Sequence, residues 1–389
     1  MHLAVAIAVA LKASVATKWS EVLGGSRGQQ WFAALLVVSL PGVVGGATTF
    51  GTVVFEQLGA ILLGYSVTLL LCNCPRHSTL SALGSAALVG LIKPSGCLLA
   101  FAIAMFLVLR DRSHLRAAAG IVLASALGAL PWVAWQATHQ WPFLEFAAAQ
   151  RAERDSALTY LVMSLMMLGP LGLVALATVA RERWRQPEIL LSLSGIAIYL
   201  ILQGKAYYTV PFMFPLVIQL SIWIKNSGRW QAGGIAAAVI NLGLLMPIWP
   251  PTLLRSPYLP LQEASKERIG WRAWVDDIDR LATQYSASQV ITSNYGQAAA
   301  LRQMSRECVI PICGHNQNAF WDVKIDLSRP FLVVGYSRGW LEKRFANVRQ
   351  VGKTANPYGV ENEEEGRDIW LVEGLLPGAT LLSDLRHFD

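Results

Sequence analysis

The segment LQGKAYYTVPFMFP places Lys205, Tyr207 and Tyr208 between two strongly apolar runs. An ammonium at the boundary between lipid and water, with tyrosine hydroxyls beside it, suits the phosphate of a lipid head group. Pro211 and Pro215 follow at once, and proline bends open helix packing enough to admit a lipid chain. The residue types and their spacing therefore favour a lipid-phosphate site.

The same residues have ordinary alternative explanations. A lysine at a helix end commonly extends its ammonium to water while its carbon chain stays in lipid. Tyrosines are enriched where a membrane helix meets water, and prolines occur in membrane helices without a functional role. The segment by itself leaves both interpretations open.

Other polar residues lie at the ends of apolar runs. Lys93 lies in a short loop, and Glu56 opens the apolar run that follows GGATTFGTVVF. Gln136, His139 and Glu145 lie in the loop WQATHQWPFLEF. Polar groups at membrane depth are costly, which makes each a candidate functional residue. A histidine between polar neighbours is, however, more often a surface residue than a ligand.

The composition is that of a membrane protein. Of 389 residues, 54% are hydrophobic and 15% are charged, against about 25% charged in soluble domains. The formal net charge of the chain is +7, with +8 over residues 1–251 and −1 over residues 252–389. This distribution does not indicate a nucleic-acid partner. The sequence has no HExxH, GxSxG, Walker or CxxC pattern, so no metal or other cofactor is indicated.

The apolar runs predict an all-α multispanning membrane bundle over residues 1–251. A bilayer-spanning helix needs about 20 apolar residues, and backbone groups in lipid must pair within the helix. The candidate runs, about ten, lie near residues 1–17, 30–44, 55–72, 79–92, 95–109, 117–135, 158–180, 188–203, 207–224 and 232–249.

Basic residues predict the orientation of the bundle. One alternating set of loops holds eleven Lys and Arg residues: 18–29, 73–78, 110–116, 181–187 and 225–231. The other set holds four: 45–54, 92–95, 136–157 and 203–206. Cytoplasmic loops carry the excess of basic residues, so we expect the second set and everything after Pro251 outside. Met1 is then also expected outside, which indicates one missing upstream segment.

Residues 252–389 predict a small extracytoplasmic α/β domain. Helical patterns cover 270–285, 296–305 and 338–346, and strand patterns cover 288–293, 308–312, 330–336 and 368–373. Alternation of this kind is typical of α/β domains. The run NPYGVENEEEGRD predicts a solvated loop. Cys308 and Cys313 could pair in an oxidising compartment, although a strand between them would hold them apart.

Several segments in order resemble a known enzyme family. QGKAYYTVPFMFPLV closely resembles the GK-x-YY signature, with its following prolines, of PMT-like bacterial glycosyltransferases. TTFGTVVFEQLGAIL, LVGLIKPSG, LPWVAWQATHQWPFLEF and TSNYGQAAALRQM resemble other elements of that family. The family contains the dolichyl-phosphate-mannose–protein mannosyltransferases and the aminoarabinose transferases of lipid A. It belongs to the GT-C superfamily of multispanning enzymes.

The resemblance implies a glycosyltransferase in the bacterial plasma membrane. Its donor would be a polyprenyl-phosphate-linked sugar, and its acceptor a lipid, glycan or protein at the outer face. Lys205, Tyr207 and Tyr208 would hold the donor phosphate with help from Lys93, and Glu56 matches the family's acidic position in the second outer loop. The configuration at the sugar carbon that is transferred would be inverted.

One departure from the family concerns its catalytic aspartate. That residue lies in the first outer loop, near DE-x-YY and HPPL stretches, and neither stretch is in this sequence. The resemblance therefore implies that the first helix and first outer loop are missing and that the chain alone is inactive. Glu56 is the acidic residue left to consider as a base.

Two other functions remain open at this stage. A lipid-linked sugar transporter or flippase would also bind a lipid phosphate, but it needs a path to the inner face and often contains internal repeats. No repeat is visible here, and the polar residues cluster on the predicted outer side. A non-catalytic paralogue that only binds a lipid phosphate is the second alternative.

The charge pattern of the loops gives the first testable prediction. A topology reporter fused after Arg183 should be active only in the cytoplasm, and one fused after Asp389 only outside, because basic loops stay inside. Paired cytoplasmic and extracytoplasmic reporters measure this directly. The opposite pattern would move Lys205 and the other candidate residues to the inner face.

Overall fold

A computed structural model of the chain describes residues 2–72, 77–152, 156–183, 186–224, 228–255, 263–321, 324–379 and 381–388. The described chain is mostly helical and ends in a small five-stranded sheet. Contacts divide it into a first unit, Met1–Leu144 with Gln150–Met246, and a second unit, Glu145–Ala149 with Pro247–Asp389. Parts of the predicted loops, at 73–76, 153–155, 184–185 and 225–227, lie outside the described residues, as does Cys74.

Thirteen helices precede the sheet-containing part of the described chain. Long runs of Leu, Val, Ile and Ala with few charges favour helix because helix satisfies the backbone internally. These helices are α1 His2–Val22, α2 Arg27–Ser39, α3 Pro41–Ala47, α4 Thr52–Leu71, α5 His77–Ile92, α6 Gly96–Arg110, α7 Leu115–Thr138, α8 Pro142–Ala152, α9 Ala157–Met166, α10 Gly169–Arg183, α11 Pro187–Ile201, α12 Val210–Trp223 and α13 Gly228–Leu245.

The described helices include four that are long and apolar enough to cross a membrane, or up to six if each of two bent pairs is one span. The four are Leu3–Val22, Thr52–Leu71, Arg112–Thr138 and Ala206–Trp223. Four further apolar helices are shorter, with 10–17 residues: Ser78–Ile92, Gly96–Arg110, Pro187–Ile201 and Ala232–Leu245. Each of the ten apolar runs predicted from the sequence is therefore helical, and fewer than ten have the length of a full span.

Two predicted continuous segments are bent. The run at 30–44 divides into α2 and α3, which differ in direction by 60°. Leu40 is extended at the junction and Pro41 begins α3, because proline disfavours helical geometry in the residue before it. The run at 158–180 divides into α9 and α10, with a bend of 92°, and Gly169 there has φ +68°.

Small residues allow α5 and α7 to pack with their backbones close together. A Cβ atom on Gly90 would overlap the carbonyl of Ser125, and one on Gly128 would overlap the carbonyl of Ala87. Close approach at small residues is a common way to pack helices in membranes, where lipid removes the hydrophobic driving force between them. α5 and α7 thus form a fixed side of the bundle.

The second unit contains one mixed sheet with the strand order β2-β1-β3-β5-β4. β1, β2 and β3 run parallel, and β5 is antiparallel to both β3 and β4. The strands are β1 Gln289–Thr292, β2 Ile310–Cys313, β3 Phe331–Val334, β4 Phe345–Lys353 and β5 Asp368–Leu375. The helices are α14 Pro251–Leu254, α15 Glu263–Lys266, α16 Trp271–Tyr285, α17 Tyr295–Met304, α18 Arg338–Glu342 and α19 Leu381–Leu385.

Two features of this unit differ from the sequence expectations. The helix predicted over 338–346 ends at Glu342, and the strand β4 that follows was not predicted. The acidic run is not wholly solvated, because Glu364 is buried and accepts hydrogen bonds from Asn294 (2.8 Å) and Gln297 (2.6 Å). Cys308 and Cys313 are both free thiols and so do not form the disulfide that the sequence left open.

Candidate functional site

The chain reverses between α11 and α12, and this turn carries Lys205. Gln203 has φ +58°, and the Gly204 N–H donates to the carbonyl of Tyr199 at 2.8 Å. A Cβ on Gly204 would lie 2.8 Å from the Tyr199 ring and 3.1 Å from the Tyr208 ring. Glycine is therefore required for the rings to approach, and the turn holds the exposed Lys205 beside them.

A cavity of about 490 Å³ adjoins this turn. Lys205 and Tyr207, two of the predicted phosphate-binding residues, line it. Its other described lining residues are Gln150, Ser156, Ala157, Tyr160, Tyr199, Leu200, Gln203 and Gly204. A cation and three tyrosines thus face one volume. The ammonium of Lys205 has no ion-pair partner among the residues that the structure describes.

Tyr208 and Lys93 do not belong to the described lining of the cavity. The Lys93 Nζ lies 3.7 Å from the centroid of the Tyr208 ring and 5.9 Å from that of Tyr207. The rings of Tyr207 and Tyr208 meet edge to face at 4.6 Å. A cation over a tyrosine face is attracted by the ring quadrupole, so Lys93 supports the tyrosine pair.

Glu56 holds Lys93 in that position. One carboxylate oxygen lies 3.3 Å from the Lys93 Nζ, and the other accepts a 2.6 Å hydrogen bond from the Ser95 hydroxyl. Glu56 is 4% exposed. Both oxygens are engaged with protein groups, and Glu56 is absent from the described lining of the Lys205 cavity. This geometry fits a positioning role better than the role of a base.

Gln136, His139 and Glu145 are not among the described residues that line the Lys205 cavity. The Gln136 side chain is buried and accepts a hydrogen bond from the Phe143 N–H at 3.0 Å. The His139 ring stacks on Trp135, with centroids 4.3 Å apart. Glu145 belongs to the second unit. The contact of Gln136 with Phe143 connects α7 to the start of α8, whereas His139 stacks on its own helix.

Several residues near the site were not singled out by the sequence. Tyr160 and Tyr199 line the cavity from α9 and α11, but isolated tyrosines in apolar helices carry no distinctive signal. Lys12 is fully buried in α1 and donates to Gln57 at 2.9 Å. A lysine in the middle of an apolar run is itself a signal of a polar contact within the bundle, and it could have been found.

No protein-family model, curated protein or solved structure matches the chain. Among the described residues, no group of three or more His, Cys, Asp or Glu is placed to hold a metal ion. The function is therefore inferred from the chemistry of the site residues, above all from Lys205 and the tyrosines around it.

The pairing of Glu56 with Lys93 predicts a large effect on stability. Replacing Glu56 by Gln leaves the Lys93 charge largely buried without a counterion, which should cost about 3–5 kcal/mol. Thermal unfolding of the full chain in detergent measures the loss, and Glu56→Gln combined with Lys93→Met should recover part of it.

A matched control uses the exposed pair of Lys18 and Glu21, whose side chains are 66% and 52% exposed. Replacing Glu21 by Gln should cost less than about 1 kcal/mol, because solvent screens an exposed pair. Equal effects of Glu56→Gln and Glu21→Gln would show that the Glu56–Lys93 contact does not organise the bundle.

Proposed function

We propose that this chain is an integral membrane glycosyltransferase. It would move a sugar from a polyprenyl-phosphate donor to an acceptor at the outer face of the bacterial plasma membrane. The observation that carries the proposal is the ammonium of Lys205, unpaired among the described residues, beside a cavity lined by three tyrosines. The family resemblance of the sequence points to the same residues.

The cavity has the chemistry that a phosphate requires. A lysine ammonium forms charge-assisted hydrogen bonds to phosphate oxygens, and the Tyr207 hydroxyl can donate a further hydrogen bond. The Tyr160 hydroxyl already donates to the Ile196 carbonyl at 3.2 Å. During transfer, the bond between the sugar carbon and the phosphate oxygen breaks, and negative charge grows on the departing phosphate. A fixed cation at that point stabilises the transition state. We assign this role to Lys205, because it lines the cavity together with Tyr207.

An apolar surface beside the cavity suits the polyprenyl chain. Leu158, Ile201 and Leu202 are 73%, 77% and 52% exposed. Each is next to a cavity-lining residue in the sequence. Such side chains face lipid favourably in a membrane helix. A polyprenyl chain could therefore lie along this surface while its phosphate reaches Lys205.

Inverting transfer also needs a base to take the proton from the acceptor. Among the described residues that line the cavity, none is acidic, and Glu56 is committed to Lys93 and Ser95. This observation favours, as a second candidate function, a chain that binds the lipid phosphate without catalysing transfer by itself. The two candidates share the Lys205 contact and differ only in activity.

Replacing Lys205 by Ala tests the shared contact. A hydrogen bond to a charged group contributes about 1.5–3 kcal/mol, so the affinity for a polyprenyl-phosphate-linked sugar should fall about ten- to a hundred-fold. Equilibrium binding to the purified chain in detergent measures the change, and Lys205→Arg should lose less. Lys18→Ala, which removes an exposed cation from another part of the bundle, is the matched control.

If Lys205→Ala binds the donor with unchanged affinity, the proposed site is refuted. Lys205 would then be a lysine at a helix end whose ammonium only extends to water. If affinity falls as expected, a transfer assay then separates the two candidates. Sugar transfer by the chain supports the enzyme, whereas tight binding without transfer supports the binding protein.

A further inference from the structure

A second cavity, of about 140 Å³, lies at the other end of the same helices. Its lining includes Glu188 from the first turn of α11, whereas Tyr199 of α11 lines the Lys205 cavity. At 1.5 Å per helical residue these two positions are about 16 Å apart along α11. α4 likewise carries Glu56 near its start and contributes Thr68 to the second cavity near its end. The two cavities are therefore separate sites.

Most of the second cavity is apolar, and its polar groups are few. Glu188 and Gln219 line it, and one carboxylate oxygen of Glu188 accepts a weak 3.4 Å hydrogen bond from the Gln219 amide. The other oxygen is buried and has no hydrogen-bond partner among the described residues. A carboxylate oxygen buried in this way needs a donor, because burial without a hydrogen bond is costly.

Arg110 lines the same cavity from the last turn of α6. Its side chain is exposed and forms no ion pair within 4.0 Å among the residues that the structure describes. Its charge acts on Glu188 at longer range. A guanidinium is well suited to bind a phosphate because its N–H groups match two oxygens at once. In this cavity, the Glu188 carboxylate therefore needs a hydrogen-bond donor, and the Arg110 guanidinium can bind an anion.

We propose that this cavity binds the head group of a zwitterionic lipid with a primary amine, of the phosphatidylethanolamine class. The ammonium would donate to the unpartnered oxygen of Glu188, and the phosphate would contact Arg110. Leu109 is next to Arg110 in the sequence and is 80% exposed, and Leu190 and Leu193 of α11 are 52% and 51% exposed. These side chains would contact the acyl chains. The volume suits an amine and its adjoining carbons rather than a whole lipid.

Related lipids lack one part of this complementarity. An anionic lipid such as phosphatidylglycerol offers the phosphate but no ammonium for Glu188. Phosphatidylcholine has the positive charge, but its quaternary nitrogen carries no N–H group to satisfy the buried oxygen. Neither the donor phosphate nor sugar transfer enters this inference, so it does not depend on the role of Lys205.

Native mass spectrometry of the full chain in detergent tests the proposal. The probe is an equimolar mixture of phosphatidylethanolamine, phosphatidylglycerol and phosphatidylcholine with identical acyl chains. The chain should retain phosphatidylethanolamine about tenfold over each of the others, as one charge-assisted contact predicts. Glu188→Gln should abolish this preference, and Arg110→Gln should weaken retention of both phosphatidylethanolamine and phosphatidylglycerol. Arg280→Gln, which removes an exposed cation from the second unit, should leave the preference unchanged.

Equal retention of the three lipids by the native chain would overturn the proposal, as would a preference that survives Glu188→Gln. Should Glu188→Gln fail to fold, Thr68→Phe fills the same cavity from α4 and should remove the preference. Soluble phosphoethanolamine at equal concentration should not displace the lipid. Displacement by it would show that the cavity takes a soluble zwitterion and would contradict the lipid assignment.

Discussion

The arrangement of the candidate site depends on the contacts that the Glu56 carboxylate makes with Lys93 and Ser95. A lysine charge inside an apolar bundle is costly unless it is paired, and Glu56 supplies the pair for Lys93 while also accepting from Ser95. Lys93 in turn lies over the ring of Tyr208. One buried carboxylate therefore connects α4, the turn between α5 and α6, and the tyrosines that precede α12.

This network gives the two lysines of the site different roles. The charge of Lys93 is paired with Glu56 and lies over the Tyr208 ring, so both of these contacts of its ammonium are within the protein. Lys205 lies on the cavity side of the same tyrosines and has no described carboxylate partner. The family resemblance implied that Lys93 assists Lys205 at the phosphate, and the structure places the Lys93 ammonium against Glu56 and the Tyr208 ring.

Much of the fold follows from local sequence patterns, and the exceptions have physical reasons. Long apolar runs predicted the helices because lipid and protein interiors both demand internal hydrogen bonding. The bend at Gly169 was missed because a positive φ in a glycine leaves no hydrophobicity signal. Strand β4 was missed because FANVRQVGK lacks strict alternation, and its strand state depends on pairing with β5. The Glu56–Lys93 pair joins residues 37 positions apart, which no local pattern can reveal.

Photo-crosslinking tests the central claim most directly. A polyprenyl-phosphate-linked sugar with a photoreactive group beside the phosphate would be bound to the full chain, irradiated, and its attachment sites mapped by mass spectrometry. Labels should fall on peptides that carry the described lining of the Lys205 cavity, at residues 156–160 and 199–207. Labels confined to peptides that contain none of the described lining residues would contradict the assignment of the donor-phosphate site.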